Sequence, residues 1–530
     1  MANFMENLEK IIDTHTNVSV TENGAKGFKT TNQPLLDVNF KISSMRNMNE
    51  NEKIAILRKA YYEDKLLFTK WLFFAGDVRG GCGERDLFKT GLSIILNDKP
   101  EAFIALMKLI PEYTRWDNLI KFVNCGNSEV ENSIINIIKE QLNEDMENMN
   151  AGKSISLLAK WMPSANTSSA ETRKCAKKII EKLQLTDRVY RKLLSSLRKY
   201  LDVIEVKMSS KRFNEIDYSA VPSKANVKYN SAFLRNDEER RREFLDKLSS
   251  GKASINGSVN FPHDIVHMYY SGSSYYGYKT KPEDVAIEAL WKALPDYVKG
   301  QGNTICVSDG SGSMTSTVSS SCVTALEIAM ALSIYFAEHS SGQFKDKFIT
   351  FSENPQMVDL SNCKSLHDKI NMMVGYTEVS NTNIEKVFDM ILHTAVSYHL
   401  KQEEIPNILI LSDMEFDRCV VKNDNEKLSP YSFYMHNKNE IPSVSDFEVY
   451  SQRFKSAGYK LPKVTFWNIC SRTGTIPIKE NELGCALVSG FSPAIVKMVL
   501  SSKTDPWEIL MEQLDNERYA PVEEAVAKIF

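Results

Sequence analysis

Histidine is scarce in this chain, at 8 of 530 residues, and its 9 cysteines contain no Cys-x-x-Cys pair. Zinc ribbons are built on such pairs and disulfide frameworks on an even, regularly spaced set, so the pattern argues against both. Free thiols are simplest to keep in a reducing, cytoplasmic compartment. No apolar run reaches ~18 residues and the start lacks a basic-then-apolar pattern, so neither a membrane span nor a signal peptide is expected. Strong overall charge is missing as well. At a formal −3, any nucleic-acid role has to come from local patches. What remains is an ordinary globular composition, 42% hydrophobic and 25% charged, in a chain long enough for two or three domains.

The organising stretch is Thr304-Ile-Cys-Val-Ser-Asp309-Gly-Ser311-Gly-Ser313-Met314. A short apolar run ending in Asp-x-Ser-x-Ser reads as a buried strand that delivers one carboxylate and two hydroxyls to the loop at its carboxyl end. Hard oxygen donors of this kind suit Mg²⁺ or Mn²⁺. A nucleophile elbow would require Gly-x-Ser-x-Gly, which neither serine satisfies, and no Gly-x-Gly-x-x-Gly is completed after Gly312.

These residues resemble the metal-ion-dependent adhesion site of von Willebrand factor A domains. Thr382, before the helical run Ile384 to Leu400, matches the family's single threonine, and Asp413, closing the apolar run Asn407 to Ser412, matches its last aspartate. The resemblance implies metal ligation by Ser311, Ser313 and Thr382, with Asp309 and Asp413 acting mainly through water. One coordination position stays open for a partner's carboxylate. Two departures stand out: no Gly-Gly precedes the threonine, and Met414-Glu415 follows Asp413 in place of glycine.

Before residue 300 the periodicity is helical. Phe103, Leu106, Met107 and Ile110 fall at i, i+3, i+4 and i+7, and Leu194, Leu197, Leu201 and Ile204 repeat the theme. Trp71, Trp116 and Trp161 recur every 45 residues, a period within the range of two-helix HEAT repeats, but the flanking sequences diverge after each tryptophan, which favours coincidence. The loop Ala75-Gly-Asp-Val-Arg79-Gly-Gly-Cys-Gly-Glu-Arg85-Asp86 reads either as a phosphate cradle or as a helix-helix turn.

Between Arg173 and Arg212 there are thirteen Lys or Arg against four acids, among them Arg173, Lys174, Lys177, Lys178, Arg191, Lys192, Arg198 and Lys199. This run is either a solvated helical face or a surface that tracks phosphates. Tyr269 to Lys281 interleaves tyrosines with lysines, which suits packing within the protein or base stacking. His263 and His267 lie at i, i+4, but Pro262 at a helix start explains that sequence without a metal.

After residue 300 the pattern alternates. Strands are expected at Thr304 to Ser308, Lys347 to Ser352, Gln356 to Leu360, Asn407 to Ser412, Lys463 to Ile469 and Cys485 to Ser489, with helices near Ser319 to Glu338, Ser365 to Val374, Asn383 to Leu400, Asp446 to Ser456 and Ser492 to Ser501. This predicts a doubly wound sheet with the Asp309 and Asp413 loops converging at its switch point. The polar stretch Cys419 to Ser445 reads as a lid or a surface insertion.

The order of helices then A domain resembles the TROVE proteins of the Ro type. It is closer still to relatives of that family in plants and giant viruses, through Arg79-Gly-Gly-x-Gly-Glu-Arg-Asp86, Arg115-Trp-Asp117, Pro222-Ser-Lys-Ala225, Phe261-Pro-His-Asp264, Ser412-Asp-Met-Glu415, Phe466-Trp-Asn468 and Ser489-Gly-Phe-Ser-Pro493. The expected fold is therefore multidomain, α plus α/β: an arm over 1–50, a HEAT-like α-helical solenoid over 51–300 of the kind that closes into a ring, and a von Willebrand A domain with its adhesion site over 301–530. The resemblance implies a non-catalytic, RNA-binding scaffold. Arg79, Arg85 and the eight basic residues named above are the RNA candidates on charge alone, Mg²⁺ or Mn²⁺ is the cofactor, and an acidic protein is a second partner. Two alternatives remain, a Mg²⁺-dependent protein-interaction module without RNA and a metal-dependent hydrolase using Asp309, Asp413 and Glu415.

Overall fold

The computed structural model describes residues 17–21, 26–46, 48–202, 204–255, 260–274, 277–298, 303–318, 323–351, 355–376, 384–414, 446–470, 476, 485–489 and 505–530. Thr382, Glu415, the stretch Cys419 to Ser445, the helix expected over Ser492 to Ser501, and Tyr275 with Tyr276 lie outside these residues. Two compact units form: Ala60–Asn260 with Val285–Ala293 and Leu514–Phe530, and Met1–Lys59 with Phe261–Asp284 and Leu294–Gln513. No helix among the described residues is long and apolar enough to cross a membrane.

The first unit is helical, and its helices start where side chains satisfy otherwise orphaned backbone amides. Asp64, Ser169 and Thr186 each accept from the amide three residues on, opening Lys65–Gly76, Ala170–Lys182 and Asp187–Tyr200. In the last of these Tyr190, Leu194 and Leu197 are buried at i, i+4 and i+7, so its inward face is apolar and its outward face charged. Phe103, Leu106, Met107 and Ile110 are all buried, but not on one helix: Pro100–Leu106 ends before Met107, and Ile110 opens Ile110–Tyr113.

The tryptophan period does not mark a repeat register. Trp71 lies in mid-helix, Trp116 opens Trp116–Ile120, and Trp161 closes Leu158–Trp161. Instead the Arg115 guanidinium lies 4.2 Å from the Trp161 ring centroid, a cation held against an aromatic face.

The second unit is built on a six-stranded mixed sheet. Its strands are β5 (Thr304–Asp309), β6 (Lys347–Phe351), β7 (Met357–Asp359), β8 (Asn407–Ser412), β9 (Val464–Asn468) and β10 (Cys485–Ser489), in the order β10-β9-β8-β5-β6-β7. All neighbours are parallel except β6 and β7. Each strand falls where its apolar run predicts, and β5, β8 and β9 are buried almost end to end, the signature of a sheet covered on both faces. The helix Ala325–His339 is buried along nearly its whole length, and Ile384–Ser397 turns Ile384, Val387, Phe388, Ile391 and Ala395 inward.

The chain runs outward from β5 through β6 to β7 on one side, and from β8 through β9 to β10 on the other. The switch point thus lies between β5 and β8.

Residues before 50 contribute to this unit. The short strands β1 (Val18–Val20) and β2 (Lys26–Phe28) pair antiparallel, as do β3 (Tyr270–Ser274) and β4 (Gly277–Thr280), and Phe28 exchanges both backbone hydrogen bonds with Ile476 at 2.8 Å. The helix Pro34–Phe40 lies against β10. Asn468 Nδ2 donates to the Phe40 carbonyl at 3.0 Å, and the Ser43 and Ser489 hydroxyls meet at 2.7 Å.

Candidate functional site

Asp309 is the last residue of β5 and Ser412 the last of β8, and the register of the pair, Ser308 opposite Leu411, sets them side by side. The Ser412 hydroxyl donates to Asp309 Oδ2 at 2.6 Å, and the Ser311 amide donates to Oδ1 at 2.9 Å. The Asp309 carboxylate is thereby fixed on both oxygens. The Ser311 and Ser313 hydroxyl oxygens lie 2.9 Å apart on the loop and turn that follow. Asp309, Ser311 and Asp413 are buried, and Ser313 is partly exposed. Burial first, and then the neighbouring Asp413 carboxylate, push the Asp309 carboxyl well above the ordinary carboxylate range. Two acids buried together are costly to ionise without a counter-charge.

The donor set fits a small hard cation. Adjacent corners of an octahedron with ~2.1 Å metal-oxygen bonds lie about 3.0 Å apart, close to the separation of the two hydroxyls. Four of the five expected residues, Asp309, Ser311, Ser313 and Asp413, come together at the switch point, and Thr382 lies outside the described residues. Among the described residues no three His, Cys, Asp or Glu side chains converge as a metal cluster, so any cation here would rest on hydroxyls and two acids. Around His267 the helix does start at Pro262, and the His267 Nδ1 meets Glu327 Oε1 at 2.7 Å.

The basic candidates divide by environment. Arg173, Lys174, Lys177, Arg191, Lys192 and Lys199 are exposed on Ala170–Lys182 and Asp187–Tyr200, with Arg173 also donating from Nη1 to the Thr167 and Ser168 carbonyls. Lys178 pairs with Glu131 at 2.7 Å. Arg198 is turned inward: Nε donates to the Ala159 carbonyl at 2.8 Å, Nη2 to the Met162 carbonyl at 2.8 Å, and Nη1 to the Ser164 hydroxyl at 3.1 Å. It holds the segment 159–164 in place.

In the glycine-rich loop, Arg79 and Arg85 are exposed, but five of the loop's backbone amides are already committed. Val78 donates to Tyr113, Arg79 to Asp77 Oδ1, Cys82 to Phe74, Gly83 to Asp77 and Glu84 to Ala75. In the tyrosine segment, Tyr269 is buried with its ring 5.3 Å from that of His367, and Tyr270 stacks on His267.

Residues 303–528 match a family described as Domain of unknown function (DUF7788), and residues 130–304 match one described as Domain of unknown function (DUF2828). Uncharacterized protein L728 of Acanthamoeba polyphaga mimivirus is 30% identical over 538 residues, covering 94% of this chain and 87% of that protein. The chain belongs to the L728 family. The giant-virus kinship expected from the motifs is met by this relative. The crystal structure of the RO (RSR) protein of Deinococcus radiodurans also matches, over 93% of this chain and 95% of its own, with 12% identity and a TM-score of 0.35. A likeness that loose decides nothing about the site.

In this L728-family chain three residues matter that were not among the expected site residues. Ser412 orients Asp309, and its place at the head of the Ser412-Asp-Met-Glu415 motif is the signal the sequence offers. Met414 occupies φ +64, the left-handed region that glycine adopts without strain. The departure from the adhesion-site pattern therefore keeps a glycine-like backbone, with the Met414 side chain buried in the core and its amide donating to the Ser412 hydroxyl at 3.0 Å. Arg518, far along the chain, forks onto Asp77 and completes the glycine-rich loop.

Proposed function

We propose that this protein is a non-catalytic RNA-binding scaffold of the Ro type, working in a reducing interior. Its sheet would hold Mg²⁺ or Mn²⁺ at the carboxyl edge through Ser311 and Ser313, with Asp309 and Asp413 behind them. A bound cation would supply an open position for a carboxylate of an acidic protein partner.

The observation that carries the RNA reading is the run of exposed Arg and Lys on two consecutive helices, Ala170–Lys182 and Asp187–Tyr200, in a chain of net −3. Cations on one helical pair bind phosphates by releasing counterions, which makes affinity fall steeply with salt. Titration with short single-stranded RNA at two salt concentrations tests it. Tight binding at low salt that weakens with salt, and collapses on charge reversal of Arg173, Lys174, Arg191 and Lys192, is the expected result. Weak, salt-independent binding that survives the reversal sinks the reading.

A second reading rests on the hydroxyl pair of Ser311 and Ser313 beside two buried acids. It is a Mg²⁺-dependent protein-interaction module in which the basic helices serve solubility alone. RNA binding separates the two.

A further inference from the structure

At the amino ends of the parallel strands, opposite the Asp309 edge, the sheet unit contains a cavity of ≈ 330 Å³. Its floor is core: Ile305 on β5, Ile349 on β6 and Ile391 on the helix Ile384–Ser397 are 8% exposed or less. Its mouth is soft, with Met390 partly exposed and Met357 51% exposed. Methionine is flexible and polarizable, so such a wall adapts to a guest. The volume is at the lower end of small-molecule sites, and the mostly apolar lining with few polar groups is what such sites share.

One charge breaks that lining. Glu404 is the single charged residue that lines the cavity among the described residues. Its Oε2 accepts the Lys401 amide at 2.7 Å, and Oε1 accepts no hydrogen bond among the described residues. The apolar floor selects a hydrocarbon body and the carboxylate at the rim selects a cation to end it.

We propose that this cavity binds a small, mostly apolar amine, with the hydrocarbon part against Ile305, Ile349 and Ile391 and the ammonium at Glu404. Ligands of doubly wound sheets ordinarily sit at the carboxyl ends of the strands. This site is at the other end, so it is separate from the Asp309 edge and needs neither a cation there nor RNA.

Three probes of one shape decide it: 4-phenylbutylamine, 4-phenylbutanol and 4-phenylbutyrate, titrated into the full chain by calorimetry with thermal stability followed in parallel. The amine should bind saturably, about fivefold tighter than the alcohol, as one rim ion pair allows, and the carboxylate weakest. Glu404→Gln should bring amine and alcohol to equal affinity while leaving the alcohol unchanged. Ala395→Phe, which fills the cavity from the helix, should abolish binding of all three. Should that variant fail to fold, Thr394→Trp at the exposed mouth should do the same. Absence of saturable amine binding, equal affinity for the three probes, or binding that persists when the cavity is filled would overturn the assignment.

Discussion

The guanidinium of Arg518 forks onto the carboxylate of Asp77, a side chain with no solvent exposure that lies 441 positions earlier in the sequence. Tyr519 donates to the same carboxylate at 3.2 Å, and the Tyr113 and Tyr519 rings stack at 5.9 Å. Nearby, Lys70 reaches Glu523 at 2.7 Å and Asp515 at 3.3 Å. The segment Leu514–Phe530 is thereby clasped to the helical unit to which it belongs.

Removing Arg518 leaves the fully buried Asp77 carboxylate without its cation, at a cost of about 3 kcal/mol. Arg518→Ala should therefore lower the unfolding free energy of the helical unit by that order, seen as a lower urea midpoint, and Asp77→Asn in the Arg518→Ala background should recover part of it. A stability equal to wild type in Arg518→Ala would show that the fork contributes nothing.

The glycines of the same loop are fixed by close approach. A Cβ on Gly81 would run into the Phe74 carbonyl oxygen, a backbone atom that accepts the Cys82 amide, whereas a Cβ on Gly80 meets the Arg518 side chain at 2.9 Å. Backbone gives way less readily than the stem of an arginine. Gly81→Ala should be the more destabilising by at least ~1 kcal/mol. Denaturation of the two variants side by side checks the order, and the reverse ranking would contradict the packing described.

Much of this molecule was legible in sequence because it is encoded locally. The six strands of the sheet are each a run of apolar residues, and their alternation with helices was enough to bring Asp309 and Asp413 to one switch point. What the sequence could not show are pairings made at long range. Nothing local tells that Phe28 pairs with Ile476, or that Arg518 rather than a phosphate answers the glycine-rich loop. Charge alone likewise could not separate Arg198, which donates to three groups of its own protein, from Arg191, which is exposed. Both are basic residues of one helix, and only the direction each faces distinguishes them.

That distinction gives opposite outcomes for two neighbours. If the basic helices track single-stranded RNA, each phosphate contact contributes about 0.7 to the slope of log affinity against log salt. Reversal of Arg173, Lys174, Arg191 and Lys192 together should flatten the slope by about 3 and leave the melting temperature nearly unchanged. Arg198→Ala should instead lower the melting temperature, since it leaves the Ala159 and Met162 carbonyls without this donor. Filter binding over a salt series with parallel melting curves reads both; an Arg198→Ala protein that melts normally and loses RNA would invert the assignment.

The pair of buried acids at the sheet edge makes a prediction whose sign is fixed by burial. Because the Asp309 carboxyl is pushed up in the folded protein by burial and by Asp413, ionising it favours the unfolded chain, where a carboxyl titrates near ~4. In EDTA, stability should therefore fall as the pH rises from about 4 through the elevated folded value, and Asp309→Asn should remove that fall. A bound cation favours the ionised pair, so millimolar Mg²⁺ or Mn²⁺ should raise the melting temperature of the wild type at pH 8, by mass action on the folded state alone. Asp309→Asn and Ser311→Ala should abolish the rise. Melting curves at two pH values with and without the cation supply all four comparisons. A wild type indifferent to both pH and cation would mean that the acids are held by protein contacts alone and that the edge carries no metal.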